Sequence, residues 1–198
     1  MLDVDQAGEL KAAFRRGNWT NGEIKQLSEG DVLANVRQVI LGHAEIKVLE
    51  HVVDCDVKPV ILGGWTIEEH RKGGRVKIER RGDDLYVDGV KIDLFLTDAQ
   101  KKGSIVGNSL RTELSGKPVL NACILDYLLA HPHLIPESWK KDENGNTRYI
   151  FFWGTIFRCS GVGIYVWYLY WLGGRWLWHC RWLDNGFGDQ DPAALRAS

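Results

Sequence analysis

The stretch from residue 163 to residue 183, GIYVWYLYWLGGRWLWHCRWL, constrains the fold more than any other part of the sequence. It holds five of the nine tryptophans, with the pair Gly173-Gly174 near its middle. The longest uncharged run, Cys159 to Gly174, has 16 residues, whereas a membrane-spanning helix needs about 20. Because aromatic and β-branched residues favour strands, the stretch predicts two antiparallel strands joined by a two-residue Gly-Gly turn.

This turn determines which residues lie opposite each other in the predicted hairpin. The pairs on one face are Trp171 with Trp176, Leu169 with Trp178, Trp167 with Cys180 and Tyr165 with Trp182. A face with five tryptophans is too apolar for water, so we expect it to lie in the core.

The opposite face of the hairpin carries side chains with apolar bodies and polar tips. Aromatic faces of this kind stack on single-stranded nucleic acid or sugars. The alternative is a half-exposed face, or one that another element covers. The predicted ligand-binding residues on this face are Tyr168, Tyr170, His179 and Arg181.

The remaining pattern predicts an α+β fold, formed by one compact domain over residues 1–198. We expect N-terminal helices, the first over residues 3–16, and then a β-rich middle with a hairpin turn at Asp88-Gly89. A helical segment follows, with Thr97 and Asn108 as N-caps and Pro118 in the first turn of a helix. We expect a C-terminal antiparallel aromatic β-meander over residues 148–158, 163–172 and 175–183, and a last helical turn capped by Asp191.

Composition limits the classes of partner. The net charge of −1 gives no global attraction to nucleic acid or anionic lipid, so such a partner would need a local basic patch. The N-terminus has no apolar segment typical of a secretory signal, and the four cysteines are scattered. We therefore expect a cytoplasmic protein with reduced thiols and no membrane partner. No cofactor or metal site is predicted.

The segment EEHRKGGRVKIERR, residues 68–81, is the only basic cluster in the sequence. Alternation along residues 75–81 places Val76 and Ile78 toward the core, with cationic side chains on the other face. Such a strand can contact phosphates, although a solvated outer strand whose charges prevent edge pairing explains the same pattern. The predicted ligand-binding residues here are Arg71, Lys72, Arg75 and Lys77.

The sequence contains neither the nucleophile-elbow motif nor the zinc-protease motif, so it carries no catalytic signature. The acid–base candidates are His51, Asp54, Cys55, Asp56, His70 and His179. The HPH motif at residues 131–133 and the pair His51 and Cys55 could each contribute to a metal site, but neither is a full ligand set.

These observations favour a non-enzymatic binding module whose partner is nucleic acid or another protein. Two alternatives stay open. One is a small hydrolase or nuclease that uses the histidines, aspartates and Cys55. The other is an oligomeric subunit whose aromatic face is a protein interface.

Three blocks near the C-terminus resemble sequences of small bacterial proteins that are described only as hypothetical. They are VLNACILDYLLAHPHLIPESWK (119–140), YIFFWGTIFR (149–158) and DPAALRAS (191–198). The resemblance implies a natural single-domain soluble protein of bacterial type. It implies no activity and no site residue.

Overall fold

A computed structural model of the chain describes residues 3–46, 49–161 and 163–197. It divides into two compact units, residues 1–49 and residues 50–198. The predicted α+β class is confirmed by helices and a large mixed sheet. One domain over residues 1–198 stays a prediction, and each unit is described by itself.

Among its described residues, the first unit contains three helices, α1 (Val4–Arg16), α2 (Asn21–Leu27) and α3 (Val32–Ile40). The side chains of Asp3 and Thr20 accept hydrogen bonds from the backbone in the first turns of α1 and α2, and both form capping boxes. The helix predicted over residues 3–16 is therefore confirmed, with Gly17 as its C-cap.

The second unit contains most of the secondary structure. Its helices are α4 (Asp98–Lys102), α5 (Gly107–Glu113) and α6 (Ala122–Ala130), followed by two 3-10 turns, Pro132–Leu134 and Glu137–Trp139. Its strands are β1 (His51–Asp54), β2 (Thr66–His70), β3 (Arg75–Arg81), β4 (Asp84–Val87), β5 (Val90–Phe95), β6 (Ile105–Val106), β7 (Ile150–Arg158), β8 (Ile164–Leu172), β9 (Arg175–Trp182), β10 (Gly186–Phe187) and β11 (Ala193–Arg196).

Within the described residues, nine of these strands form one sheet. Eight follow the order β1-β3-β4-β5-β11-β7-β8-β9, and β2 pairs with β7. β11 runs parallel to β7, and the other pairings in this sheet are antiparallel. β6 and β10 form a separate two-stranded ladder.

The C-terminal tail corrects one prediction. Residues 193–196 form β11, with Ala193 opposite Phe95 on one side and Phe151 on the other, so the tail is not a helical turn. The Asp191 side chain, predicted to cap that turn, instead accepts hydrogen bonds through Oδ2 from Arg181 and from the Gly188 N–H.

Two predicted helix starts are also wrong. Asn108 lies inside α5, whose N-cap is Val106, and its side-chain amide donates to Asp184 at 2.7 Å. Pro118 precedes α6, whose N-cap is Asn121. The segment from Pro118 to Asn121 is extended because Val119 forms a β-bridge with Leu195 of β11.

The predicted hairpin register is confirmed. Trp171 lies opposite Trp176, Trp167 opposite Cys180 and Tyr165 opposite Trp182. Gly173 and Gly174 have φ values of 59° and 80°, the left-handed region that this turn requires. Asp88 and Gly89, with φ values of 51° and 76°, make the equivalent turn between β4 and β5.

Two hydrophobic clusters lie on opposite faces of the sheet, since successive residues of a strand alternate between them. On β8, Trp167 and Leu169 belong to the cluster beneath α6, whereas Val166 belongs to the other. The second cluster includes Leu110 and Leu114, from α5 and the residue after it. Both faces of this part of the sheet are therefore covered.

The face of the hairpin that carries five tryptophans lies only partly in the core. Trp167 is 0% exposed and stacks on Phe157 with ring centroids 3.9 Å apart. Trp176 and Trp178 pack against the same cluster, but Trp182 is 42% exposed. The tryptophans on β9 are less buried than Trp167 on β8 because β9 is the last strand of the sheet.

Candidate functional site

A cavity of about 270 Å³ lies where four separate segments of the second unit meet. Cys55 follows β1, residues 71–73 connect β2 to β3, residues 117–121 lead into α6, and Arg196 lies at the end of β11. The cavity is at the low end of the range of about 300–1,000 Å³ for ligand pockets. It suits a small group better than a large cofactor.

The side chain of Asn121 connects two of these segments. Its Nδ2 donates to the carbonyl oxygens of Cys55 at 2.9 Å and Arg71 at 3.0 Å. The backbone around Asn121 is also fixed, because Gly154 of β7 donates its N–H to the carbonyl of Leu120 at 2.8 Å. A Cβ at position 154 would lie 2.8 Å from that carbonyl oxygen, so the close approach requires glycine.

Four of the eleven described residues that line the cavity are basic. Among the described residues that line it, none is an aspartate or glutamate. The cavity therefore attracts anions. The four basic residues are Arg71, Lys72, Lys117 and Arg196.

Three of the four cations are held in place. Arg71 donates from Nη1 to the Lys117 carbonyl at 3.0 Å and from Nε to Glu69 at 3.2 Å. The ammonium of Lys117 lies 4.4 Å from the centre of the Phe95 ring, and Arg196 pairs with Asp88 at 3.2 Å. This anchoring reduces the conformational entropy that binding an anion would cost.

Lys72 differs from the other three cations. Its side chain is exposed, and within the described ranges no hydrogen bond or ion pair involves it. Its ammonium can therefore bind a ligand without first leaving another partner. Lys72 is the most available of the four cations.

Asn121 also has an unsatisfied acceptor. The residue is 4% exposed, and its Oδ1 has no hydrogen-bond partner among the described residues. An unpaired buried polar group costs about 1–3 kcal/mol. Asn121 is also the N-cap of α6, a nine-residue helix whose N-terminus adds positive potential. Asn121 thus contributes a buried amide oxygen that lacks a donor among the described residues.

The Cys55 thiol in this cavity is a poor nucleophile. Burial raises its pKa to about 11, although the charge of Arg196 acts in the opposite direction. At neutral pH the sulfur is protonated, and thiolate is the reactive form. The nearby His70 donates from Nε2 to the Cys55 carbonyl at 2.9 Å and accepts at Nδ1 from the Thr155 hydroxyl at 2.9 Å. Both ring nitrogens are occupied, so His70 does not serve as a base for Cys55.

The predicted basic residues of the 68–81 segment fall in two places. Arg71 and Lys72 line the cavity, whereas Arg75 and Lys77 lie exposed on β3. The predicted alternation on β3 is confirmed, because Val76 and Ile78 are each 1% exposed. β3 is not an outer strand, since β1 and β4 pair with its two sides.

The two basic residues on β3 have different surroundings. The ammonium of Lys77 lies 3.0 Å from Glu79 and 3.6 Å from Glu50. The side chain of Arg75, which lies opposite Asp54 in the β1–β3 ladder, has no ion pair or hydrogen bond within the residues that the structure describes. Arg75 is therefore the more available of the two for a phosphate.

The predicted aromatic residues are mostly engaged within the fold. Tyr168 is partly buried against Phe151, with ring centroids 4.8 Å apart. Arg181 pairs with Asp191, and its guanidinium carbon lies 5.1 Å from the centre of the Phe151 ring. Tyr170 is partly buried beside Tyr149, and His179 is exposed on β9.

The two halves of the predicted site do not come together along the sheet. Four strands, β4, β5, β11 and β7, separate β3 from β8. At about 4.8 Å per strand spacing, β3 and β8 are about 24 Å apart along the sheet. Arg75 and Lys77 are therefore distant along the sheet from the aromatic residues on β8, whereas Arg71 and Lys72 follow β2, which pairs with β7.

The structure brings three predicted histidines together. The ring of His51 lies 5.3 Å from that of His131 and 5.4 Å from that of His133, between centroids. His51 Nδ1 is 3.0 Å from the Tyr127 hydroxyl. In the part of the chain that is described, no group of three or more His, Cys, Asp or Glu side chains is placed to hold a metal ion.

Sequence reasoning missed three polar residues of the cavity, Lys117, Asn121 and Arg196. No local motif marks them, because Asn121 and Arg196 belong to segments that were predicted to be helical and Lys117 lies just before one. Only the pairing of β11 with β5 and β7 brings Arg196 close to residues 71–73.

Comparison with protein families, curated proteins and solved structures found no match. The resemblance to small bacterial proteins therefore stays a prediction, as does the cytoplasmic location. Residues 163–183 contribute strands, and no helix among the described residues is long and apolar enough to cross a membrane.

Proposed function

We propose that the protein is a non-enzymatic binding module that contacts nucleic acid through its phosphate groups. The observation that carries this proposal is the cavity lined by Arg71, Lys72, Lys117 and Arg196, with no carboxylate among the described residues that line it. A chain with a net charge of −1 needs such a local concentration of cations to bind a polyanion.

The basic strand extends the proposed contact surface beyond the cavity. Arg75 follows Gly73, a cavity-lining residue, by two positions and begins β3. A nucleic acid with one phosphate in the cavity could place a neighbouring phosphate near Arg75. Tyr168, Tyr170, His179 and Arg181 stay a prediction as a separate stacking surface.

A binding role also fits the poor catalytic chemistry of the cavity. The raised pKa of Cys55 and the occupied ring nitrogens of His70 leave neither a thiolate nor a free base there at neutral pH. The hydrolase and protein-interface hypotheses stay as alternatives, and the experiment below separates them from nucleic-acid binding.

The test is a fluorescence-anisotropy titration of labelled single-stranded and duplex oligonucleotides at about 50 mM and about 200 mM salt. With about three phosphate contacts on a single strand, we expect the affinity to fall about 20-fold between these salt concentrations. Lys72→Ala and Lys117→Ala should each weaken binding and lower the salt slope by about 0.7.

Lys102→Ala is the matched control, because Lys102 is exposed on α4 and does not line the cavity. Its affinity and salt slope should equal those of the unmodified protein. The absence of binding at low salt would refute the proposal and favour a protein partner or an enzyme. Equal effects of all three substitutions would place the contact elsewhere.

A further inference from the structure

We infer that the cavity binds the phosphate monoester of a nucleotide, either at the 5′ end of a strand or on a free nucleotide. This inference rests on the proposed function and deepens it. The cavity would then recognise the 5′ end of a nucleic acid, whereas the exposed face of β3 would contact phosphates within the same nucleic acid.

The charge of the cavity matches a monoester better than a phosphodiester. A monoester carries about −1.5 to −2 at neutral pH and has three strong acceptor oxygens. A phosphodiester within a strand carries a single negative charge. Four cations and the N-terminus of α6 border a volume of about 270 Å³. Glu69 and Asp88, outside the lining, pair with Arg71 and Arg196, whereas Lys72 and Lys117 have no carboxylate partner among the described residues.

The cations have the geometry of a prepared site. Three of them are fixed by Glu69, Phe95 and Asp88, and Lys72 is free to close on a bound group. The guanidinium groups of Arg71 and Arg196 are each only partly used by their partners in the fold, which leaves donors for phosphate oxygens.

The size of the cavity supports the same ligand. A volume of about 270 Å³ accommodates a phosphate and the adjoining sugar but is small for a stacked series of nucleotides. The rest of a bound nucleic-acid strand would extend from the cavity past Lys72 and Arg75. Both side chains are exposed and have no ion pair or hydrogen bond in the described ranges.

The experiment compares two labelled single-stranded oligonucleotides of the same sequence, one with a 5′-phosphate and one with a 5′-hydroxyl. We expect the phosphorylated strand to bind about tenfold more tightly, because it adds a charge and acceptor oxygens at one point. Lys72→Ala and Lys117→Ala should reduce this difference to less than about threefold, whereas Lys102→Ala should keep it. Thermal unfolding of each variant verifies that it is folded.

Competition separates the two sources of the monoester. Adenosine 5′-monophosphate should displace the phosphorylated strand at a lower concentration than inorganic phosphate does. If the nucleotide binds and neither strand does, the monoester inference holds and the nucleic-acid function is wrong. If both strands bind equally in a salt-dependent way, the function holds and the inference is wrong. If no probe binds, both are wrong.

Discussion

The guanidinium of Arg181 pairs with the carboxylate of Asp191, and both groups are largely withdrawn from solvent. The same carboxylate accepts the N–H of Gly188 at 2.8 Å. Burial raises the pKa of Asp191 even though Arg181 acts in the opposite direction. A residue predicted to bind a ligand thus also connects β9 to the segment before β11.

Arg181→Ala should lower the free energy of unfolding by about 2–4 kcal/mol, because it leaves the buried Asp191 carboxylate without its partner. Arg75→Ala, which removes an exposed arginine without a described partner, should change it by less than about 0.5 kcal/mol. Urea denaturation measures both values. A loss below about 1 kcal/mol for Arg181→Ala would show that the pair contributes little to stability.

His51 should make stability depend on pH. Burial lowers the pKa of His51 from its ordinary value of 6.5, and the neighbouring charges of His131 and His133 lower it further. The unfolded chain therefore takes up this proton at a higher pH than the folded protein. The stabilising contribution of neutral His51 is present above pH 6.5 and is lost as the pH falls through its folded-state value.

His51→Gln should reduce the loss of stability between about pH 7.5 and about pH 5, as measured by urea denaturation at each pH. The comparison with the unmodified protein is needed because Asp126, whose pKa burial raises to about 6, changes stability in the opposite direction. An unchanged pH dependence in His51→Gln would contradict the prediction.

At the scale of elements, the hairpin of β8 and β9 shows how far a local pattern determines structure. Period-two alternation and two glycines predicted its strands, its register and the division of its faces. The burial of each residue depends on other elements. Trp167 lies beneath α6 and beside Phe157, whereas Trp182 lies on the last strand of the sheet.

Trp167→Ala and Trp182→Ala form a matched pair, because both tryptophans lie on the same face of the hairpin. Trp167→Ala should cost about 3–5 kcal/mol of unfolding free energy, since it opens a cavity in the core. Trp182→Ala, at a position that is 42% exposed, should cost about 1 kcal/mol or less. Equal losses in chemical denaturation would mean that the two rings are equally buried.

At the scale of the second unit, β11 completes the sheet. Its four residues lie between β5 and β7 and join the β-rich middle to the C-terminal aromatic strands. Ala194 of this strand is 0% exposed and belongs to the cluster beneath α6. The same strand brings Arg196 to the cavity.

Ala194→Asp should abolish cooperative unfolding of this unit, because an unpaired charge at a buried position costs a large part of a typical stability of about 5–15 kcal/mol. Ala197→Asp is the control, since Ala197 follows β11 and is partly exposed. Near-ultraviolet circular dichroism of the tryptophans during urea denaturation measures the effect. A cooperative transition in Ala194→Asp would show that β11 is dispensable.

The sequence by itself determined the α+β class, the first helix, both two-residue turns, the hairpin register and the alternation on β3. Each depends on residues that are neighbours in the chain, where period-two patterns, capping side chains and positive φ act locally.

The tertiary structure alone decided the position of β11, the cover over Tyr168 and Arg181, and the convergence of Arg71, Lys72, Lys117 and Arg196. The physical reason is that these features depend on pairing and packing between segments up to 125 positions apart, from Arg71 to Arg196. A short segment such as AALR has no periodicity that separates a strand from a helical turn. Its partners, β5 and β7, determine its conformation by satisfying its backbone hydrogen bonds.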